Sequence, residues 1–363
     1  MFVFNFDMGM FKDLLGSEES LFRNHVALDY DYMPKVIPYR ENEQRYIAMC
    51  IKPLFMERNG KNVIVHGPPG VGKTVAVRHL LQELEEETES IIPIYVNCWK
   101  KNTTFKIMQE ICDMIGLKFI QNKKTDELYE LMKRHINKKS TVFVFDEIDK
   151  VEDHDFLYNI LEEIYRKTII LITNYSNWLN NLDNRIKSRL MPDSVHFRPY
   201  NLAETKGILK ERVSYAFVPN VWEEEAFELI ASKTYEIKDI RTGLYLLREA
   251  GNIAEDEASR KILVSHAKKA LEKLDNFSIN KSEDLEEEAK FILGIIKENP
   301  QKKIGELYKI YQEKGGNAVY KTFQRKIKKL EDGKFIKVKK IAGGKEGKTS
   351  IISPSQIKKL DEF

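Results

Sequence analysis

The eight residues Gly67-Pro68-Pro69-Gly70-Val71-Gly72-Lys73-Thr74 constrain this 363-residue chain more than any other segment. Their glycines let successive backbone N–H groups turn into one concavity, where they hold phosphate oxygens. An apolar run at 62–66 precedes the loop and a helical pattern at 75–85 follows it. Strand, loop and helix in that order are the setting in which such a loop works. Lys73 is then expected to reach the β- and γ-phosphates, and the Thr74 hydroxyl to hold Mg²⁺.

A second apolar run, 141–145, delivers Asp146 and Glu147 at its C-terminal end. Asp146 is expected to share the Mg²⁺ shell with Thr74, and Glu147 to orient or deprotonate an attacking water. Asp149 and Lys150 read as surface charges. Asn174 ends a further run, 168–173. In a parallel sheet that end lies beside the phosphate loop, so the Asn174 amide is a candidate partner for the γ-phosphate or the water. Two arginine regions remain. Arg185 and Arg189, in 183–190, are candidates for a finger aimed at a neighbouring molecule's phosphate. Arg241 opens a helical pattern and is a candidate to fold over the nucleotide. By chemistry alone, each of these arginines is equally a surface ion-pair partner.

Two more buried-strand patterns, 91–97 and 195–197, alternate with helical patterns at 104–115 and 125–136. Strands interleaved with helices imply a parallel sheet covered on both faces. After Asn201 the strand signals stop, and 202–217, 222–233, 240–254 and 256–274 carry apolar residues at helical spacing. The polar stretch 276–284 reads as a linker. The expected domains are therefore a nucleotide-binding base at 1–200, a helical lid at 201–276 and a third domain at 277–363. Three cysteines, odd in number and without a CxxC pair, read as reduced core residues of a cytoplasmic protein. No apolar run is long enough for a membrane-spanning helix.

Charge sets the third domain apart. Residues 289–363 hold 19 Lys/Arg against 8 Asp/Glu, a net of +11, while the rest of the chain is net −8. Helical patterns at 285–297, 304–314 and 318–331 precede strand patterns at 335–342 and 349–352. Three helices and a β-hairpin predict a winged helix-turn-helix. In the third helix Val319, Phe323, Ile327 and Leu330 form an apolar face. Lys321, Arg325, Lys326, Lys328 and Lys329 lie mainly on the remaining surface, which suits contact with duplex phosphates. Tyr320, Thr322 and Gln324 are the candidate base-edge readers. Lys337, Lys339, Lys340, Lys345 and Lys348 in the hairpin suit the backbone or a minor groove.

With these residues in place, the chain resembles the AAA+ ATPases, and among them the archaeal origin-recognition and cell-division-control initiators. The entry segment 28–34, then Pro38-Tyr39-Arg40-Glu41-Asn42-Glu43, is similar, and in that family it packs by the adenine base. The resemblance implies Walker A for Gly67–Thr74, Walker B for Asp146 and Glu147, sensor 1 for Asn174 and sensor 2 for Arg241. Within 183–190 it favours Arg189 as the finger over Arg185. Pro69 and Val71 stand where these initiators often have threonines. The family also inserts a DNA-contacting helix near Trp99-Lys100-Lys101-Asn102-Thr103, which matches it loosely. The resemblance implies ATP and ADP as ligands with Mg²⁺, slow hydrolysis, and recognition of replication-origin duplex. It also implies recruitment or loading of the replicative helicase, a partner copy or paralogue on the DNA, and a nucleoid-associated location. Two rivals are another AAA+ winged-helix motor, of clamp-loader or branch-migration type, and a nucleotide-gated transcriptional regulator.

Overall fold

Alternation along the strands decides the layering of the first part of the chain. In this computed structural model, residues 20–118, 120–283, 287–332, 335–341 and 349–354 are described. The chain divides into two compact units, Met1–Ala270 and Leu271–Phe363.

In the first unit, α1 (Glu41–Ile51) leads to β1 (Val63–His66), α2 (Lys73–Glu87) and β2 (Ile91–Asn97). Next come α3 (Thr104–Met114), α4 (Thr125–Ile136), β3 (Ser140–Asp146), α5 (Asp155–Glu163), β4 (Lys167–Thr173), α6 (Asn184–Leu190) and β5 (Asp193–His196). The five strands run parallel in the order β2-β3-β4-β1-β5. Every residue of β3 is buried, as a central parallel strand requires. Its Phe143 and Phe145 pack with Ile107, Met108, Leu128, Met132 and Phe156 from α3, α4 and α5. Its Val142 and Val144 face the opposite core, with Ala76, Val77, Leu80 and Leu81 of α2. Period two therefore sends Asp146 to the α2 side, where the phosphate loop is. The loop leaves β1 between β4 and β5, and Asp146 and Asn174 emerge from strands on the same side of it.

The lid consists of α7 (Leu202–Ala216), α8 (Glu224–Ile237) and α9 (Ile240–Asp256). A capping box of Asn201 and Glu204 starts α7, and the Asp239 side chain caps α9. α10 (Val264–Glu283) follows. Two sequence expectations fail here. The helical pattern taken from Asp256 begins only at Val264. The intervening chain turns instead through Ala258 (φ 51°), and Ile262 N–H donates to Val221 O at 2.7 Å. The stretch 276–284, read as a linker, is helical through Glu283. No glycine or proline interrupts 264–283, so polar composition alone does not end the helix.

The second unit is a winged helix-turn-helix, as its sequence pattern predicts. Helices α11 (Glu287–Glu298), α12 (Ile304–Glu313) and α13 (Tyr320–Asp332) combine with β6 (Lys302–Lys303), β7 (Ile336–Ile341) and β8 (Thr349–Pro354). The strands form an antiparallel sheet in the order β6-β8-β7. The two-residue β6 has no periodic signal and was not expected. Ile292, Leu307, Tyr311, Phe323, Ile327, Leu330, Ile336 and Ile352 make the core. Gly316 is required in the turn, since a Cβ there would lie 2.2 Å from the Tyr311 ring. Val319, expected on the packed face, precedes α13 and is 67% exposed. Among the described residues no helix is long and apolar enough to cross a membrane.

Candidate nucleotide site

A cleft of about 310 Å³ opens where the phosphate loop, the ends of β3 and β4, the segment 30–38 and the start of α9 converge. Its walls include Pro38, Pro69, Gly70, Gly72, Lys73, Thr74, Asp146, Glu147, Asn174 and Arg241. Sequence positions about 200 residues apart, Pro38 and Arg241 among them, thus meet in one place of nucleotide size.

Lys73 Nζ donates to Gly67 O, Pro68 O and Asn174 Oδ1, each at 2.8 Å. The ammonium is thereby aimed along the inside of the loop and tied to the end of β4. Burial pulls its pKa down to about 8, with Arg241 adding to the fall and the acids Asp146, Asp149 and Glu147 opposing it. A bound polyphosphate would restore the full charge.

Thr74 Oγ1 donates to Asp146 Oδ2 at 2.7 Å, which brings the two expected metal donors together. Two hard oxygens fit Mg²⁺, which takes one or two protein ligands and completes its shell with substrate phosphates and water. A second hydrogen-bond donor to Asp146 was not foreseen. Tyr95 OH, on β2, donates to the same Asp146 Oδ2 at 2.7 Å. Burial and the adjacent carboxylate push the Tyr95 phenol well above its ordinary range, so it remains a donor.

Glu147 follows at φ 54°, a left-handed turn in which its N–H donates to Asp146 Oδ1 at 2.9 Å. The turn swings Glu147 out of the strand to the cleft wall. Burial raises its pKa, and Asp146 and Asp149 reinforce the rise, as suits a group that accepts a proton from water. Asp149 is not a surface charge: its side chain is 5% exposed, and Thr173 Oγ1 donates to its Oδ1 at 3.0 Å. Thr173 Oγ1 in turn accepts from Tyr175 N, so Asp149 braces the chain on either side of Asn174. Lys150 does lie at the surface layer, its Nζ 4.9 Å from the centre of the Trp99 ring. Around Trp99 the chain forms a turn, and α3 begins at Thr104.

From the lid, Arg241 donates to both carboxylate oxygens of Asp239, at 3.0 and 2.7 Å. Ile240 N–H meets Gly70 O at 3.3 Å, so the start of α9 touches the loop backbone. Pro38 reaches the cleft, but Tyr39 and Arg40 do not line it. Arg40 is wholly buried behind the loop, donating to Val71 O, Tyr200 OH, Arg198 O and Glu43. Val71 is likewise buried behind the cradle. Arg185 and Arg189 lie outside the cleft on α6. The first pairs with Asp183, while Arg189 pairs with Glu162 at 2.6 Å and lies over the Tyr158 ring.

In α13, Tyr320, Lys321, Gln324, Arg325 and Lys328 are exposed and Thr322 is half-buried, whereas Phe323, Ile327 and Leu330 are buried. Lys345 and Lys348 fall outside the described residues.

Comparisons with known proteins meet this geometry. Residues 56–181 match the model of an AAA domain, and 206–272 the model of a Cdc6 AAA+ ATPase-type lid domain. The chain is 30% identical over 366 residues to the ORC1-type DNA replication protein 2 of Methanothermobacter thermautotrophicus, covering 94% of each. The chain belongs to the ORC1-type DNA replication proteins of the AAA+ superfamily. It is also 31% identical over 365 residues to the ORC1-type DNA replication protein of Desulfurococcus amylolyticus, covering 93% of this chain and 92% of that one. Among solved structures it resembles the Aeropyrum pernix ORC1 protein, whose structure is a complex with DNA. There the identity is 27% and the TM-score 0.73, over 93% of this chain and 95% of that one.

Proposed function

We propose that this chain is an ATP-regulated replication initiator that binds origin duplex and helps to recruit or load the replicative helicase. The observation that carries the nucleotide half is the 2.7 Å contact of Thr74 Oγ1 with Asp146 Oδ2, with Lys73 and Asn174 joined beside it in the same cleft. Membership of the ORC1-type family and the likeness to an ORC1 protein solved with DNA support the duplex half.

In this reading the backbone of 67–74 cradles the phosphates and Lys73 neutralises them, while Asn174 holds the γ-phosphate or the water. Thr74 and Asp146 would hold Mg²⁺, which would supply positive charge to the bound phosphates. Glu147 takes the proton of the attacking water, and Arg241 reports the γ-phosphate to the lid. Arg189 serves a nucleotide held by a neighbouring copy or paralogue, with Arg185 as the alternative finger. Turnover is slow, because the nucleotide acts as a switch. The exposed cations of α13 and the wing bind duplex phosphates, and Tyr320, Thr322 and Gln324 read base edges.

The decisive experiment maps chromosome occupancy in the native cytoplasm, in cells carrying the wild-type chain or Lys73→Ala. Enrichment at replication origins that Lys73→Ala weakens is expected. Occupancy confined to promoters would replace this reading with that of a transcriptional regulator.

A further inference from the structure

Tyr95 has a place in the site that neither the motifs nor the family models assign. In the register of β2 on β3, Tyr95 pairs with Val144 and Asn97 with Asp146. Period two puts all four residues on the α2 side of the sheet, with Tyr95 one pleat short of the carboxylate. Its phenol spans that pleat and donates to Asp146 Oδ2 at 2.7 Å. From α2, the Arg78 guanidinium sits over the Tyr95 ring, 5.6 Å from its centre, and also lines the cleft. The ring is therefore fixed from both sides of the α2–sheet seam.

Asp146 Oδ2 has two hydroxyl donors, Thr74 and Tyr95. Thr74 is itself a donor to the metal, so its hydroxyl is not a permanent support for that oxygen. Tyr95 lies on the neighbouring strand and does not line the cleft. Its O–H can keep its bond to the carboxylate whatever occupies the cleft. We propose that Tyr95 is a positioning residue for Asp146, fixing the side-chain conformation in which that carboxylate meets Mg²⁺ beside Thr74. The proposal rests on the Mg²⁺·ATP reading above.

The test uses the full chain and a fluorescent ATP analogue, titrated over a series of Mg²⁺ concentrations and in EDTA. Tyr95→Phe is expected to raise the half-saturating Mg²⁺ concentration about tenfold, the lower end of outer-shell substitutions at metal sites. Analogue affinity in EDTA should stay at the wild-type value. Because Tyr95 acts through Asp146, Tyr95→Phe combined with Asp146→Asn should show the same Mg²⁺ requirement as Asp146→Asn alone. An unchanged requirement in Tyr95→Phe, with the wild type still Mg²⁺-dependent, overturns the role of Tyr95. A wild type that fails to bind the analogue overturns the nucleotide reading, whereas one that binds it equally with and without Mg²⁺ overturns the metal role of Asp146, and this role with it. Should Tyr95→Phe not fold, Tyr95→Trp keeps a ring and displaces the donor. The same tenfold rise is then expected, and an unchanged requirement again overturns the proposal.

Discussion

At the scale of single residues, the site pairs a lysine whose pKa burial lowers with a glutamate whose pKa burial raises. The Lys73 ammonium is pulled to about 8 from an ordinary 10.5, chiefly by burial. Bound phosphates raise it again, so the sign of the effect is fixed. Below pH 8 the free and bound forms both carry the proton, and affinity is flat. Above pH 8 the free site is neutral and binding takes up a proton, so the dissociation constant should rise by up to about tenfold per pH unit. Calorimetry in buffers of different ionisation enthalpy, between pH 7 and 9.5, measures that uptake directly. An affinity that holds constant to pH 9.5 would show that Lys73 does not carry the phosphate charge. In the proposed mechanism Glu147 acts at the next step. Glu147→Gln keeps the shape and removes the base, so hydrolysis should fall about a hundredfold or more while ATP stays bound. Near-normal turnover in single-turnover assays would remove Glu147 from that role.

Between elements, the contact that matters is the loop against the start of α9. Gly70 sits at φ 76°, and a Cβ there would lie 2.1 Å from Asp239 Oδ1 and 2.8 Å from Asp239 Cα. Gly70→Ala therefore adds backbone strain of roughly 1–2 kcal/mol and pushes away the residue that caps α9 and holds Arg241. ATP affinity is expected to drop at least tenfold while circular dichroism keeps the wild-type helix content; unchanged affinity would mean that the α9 contact does not support the site. The bounds of elements elsewhere in the base were legible in advance. β2 was read at 91–97 and is Ile91–Asn97, and α4 was read at 125–136 and is Thr125–Ile136, because an apolar run marks the first and apolar residues at helical spacing the second. Lys73, Thr74, Asp146 and Asn174 were legible because a loop or strand end displays them. Tyr95, Asp149 and Asp239 were not, for each acts through a neighbour set by sheet register or lid docking, which no local spacing encodes. Arg40 shows the converse. A conspicuous arginine in the entry segment is buried behind the loop by four protein partners.

Across the whole molecule, charge is divided as sharply as structure. The last 75 residues carry a net +11 and the remainder −8, so an overall +3 understates the attraction of one part for a polyanion. Non-specific repulsion from the acidic part should restrict duplex binding to the basic one. If α13 and the wing neutralise about six phosphates, log K falls with a slope near −5 against log salt. Between 50 and 200 mM salt that is a loss of about a thousandfold. Arg325→Ala with Lys328→Ala removes two such contacts and should flatten the slope by nearly two units, weakening all sequences alike. Gln324→Ala should do the reverse, leaving the slope and relaxing preference among sequences. Anisotropy titrations of the full chain on an origin fragment and a scrambled duplex, each at four salt concentrations, separate the two effects. A slope that both Arg325→Ala/Lys328→Ala and the wild type share would move the phosphate contacts off α13, leaving the duplex to be held elsewhere on the chain.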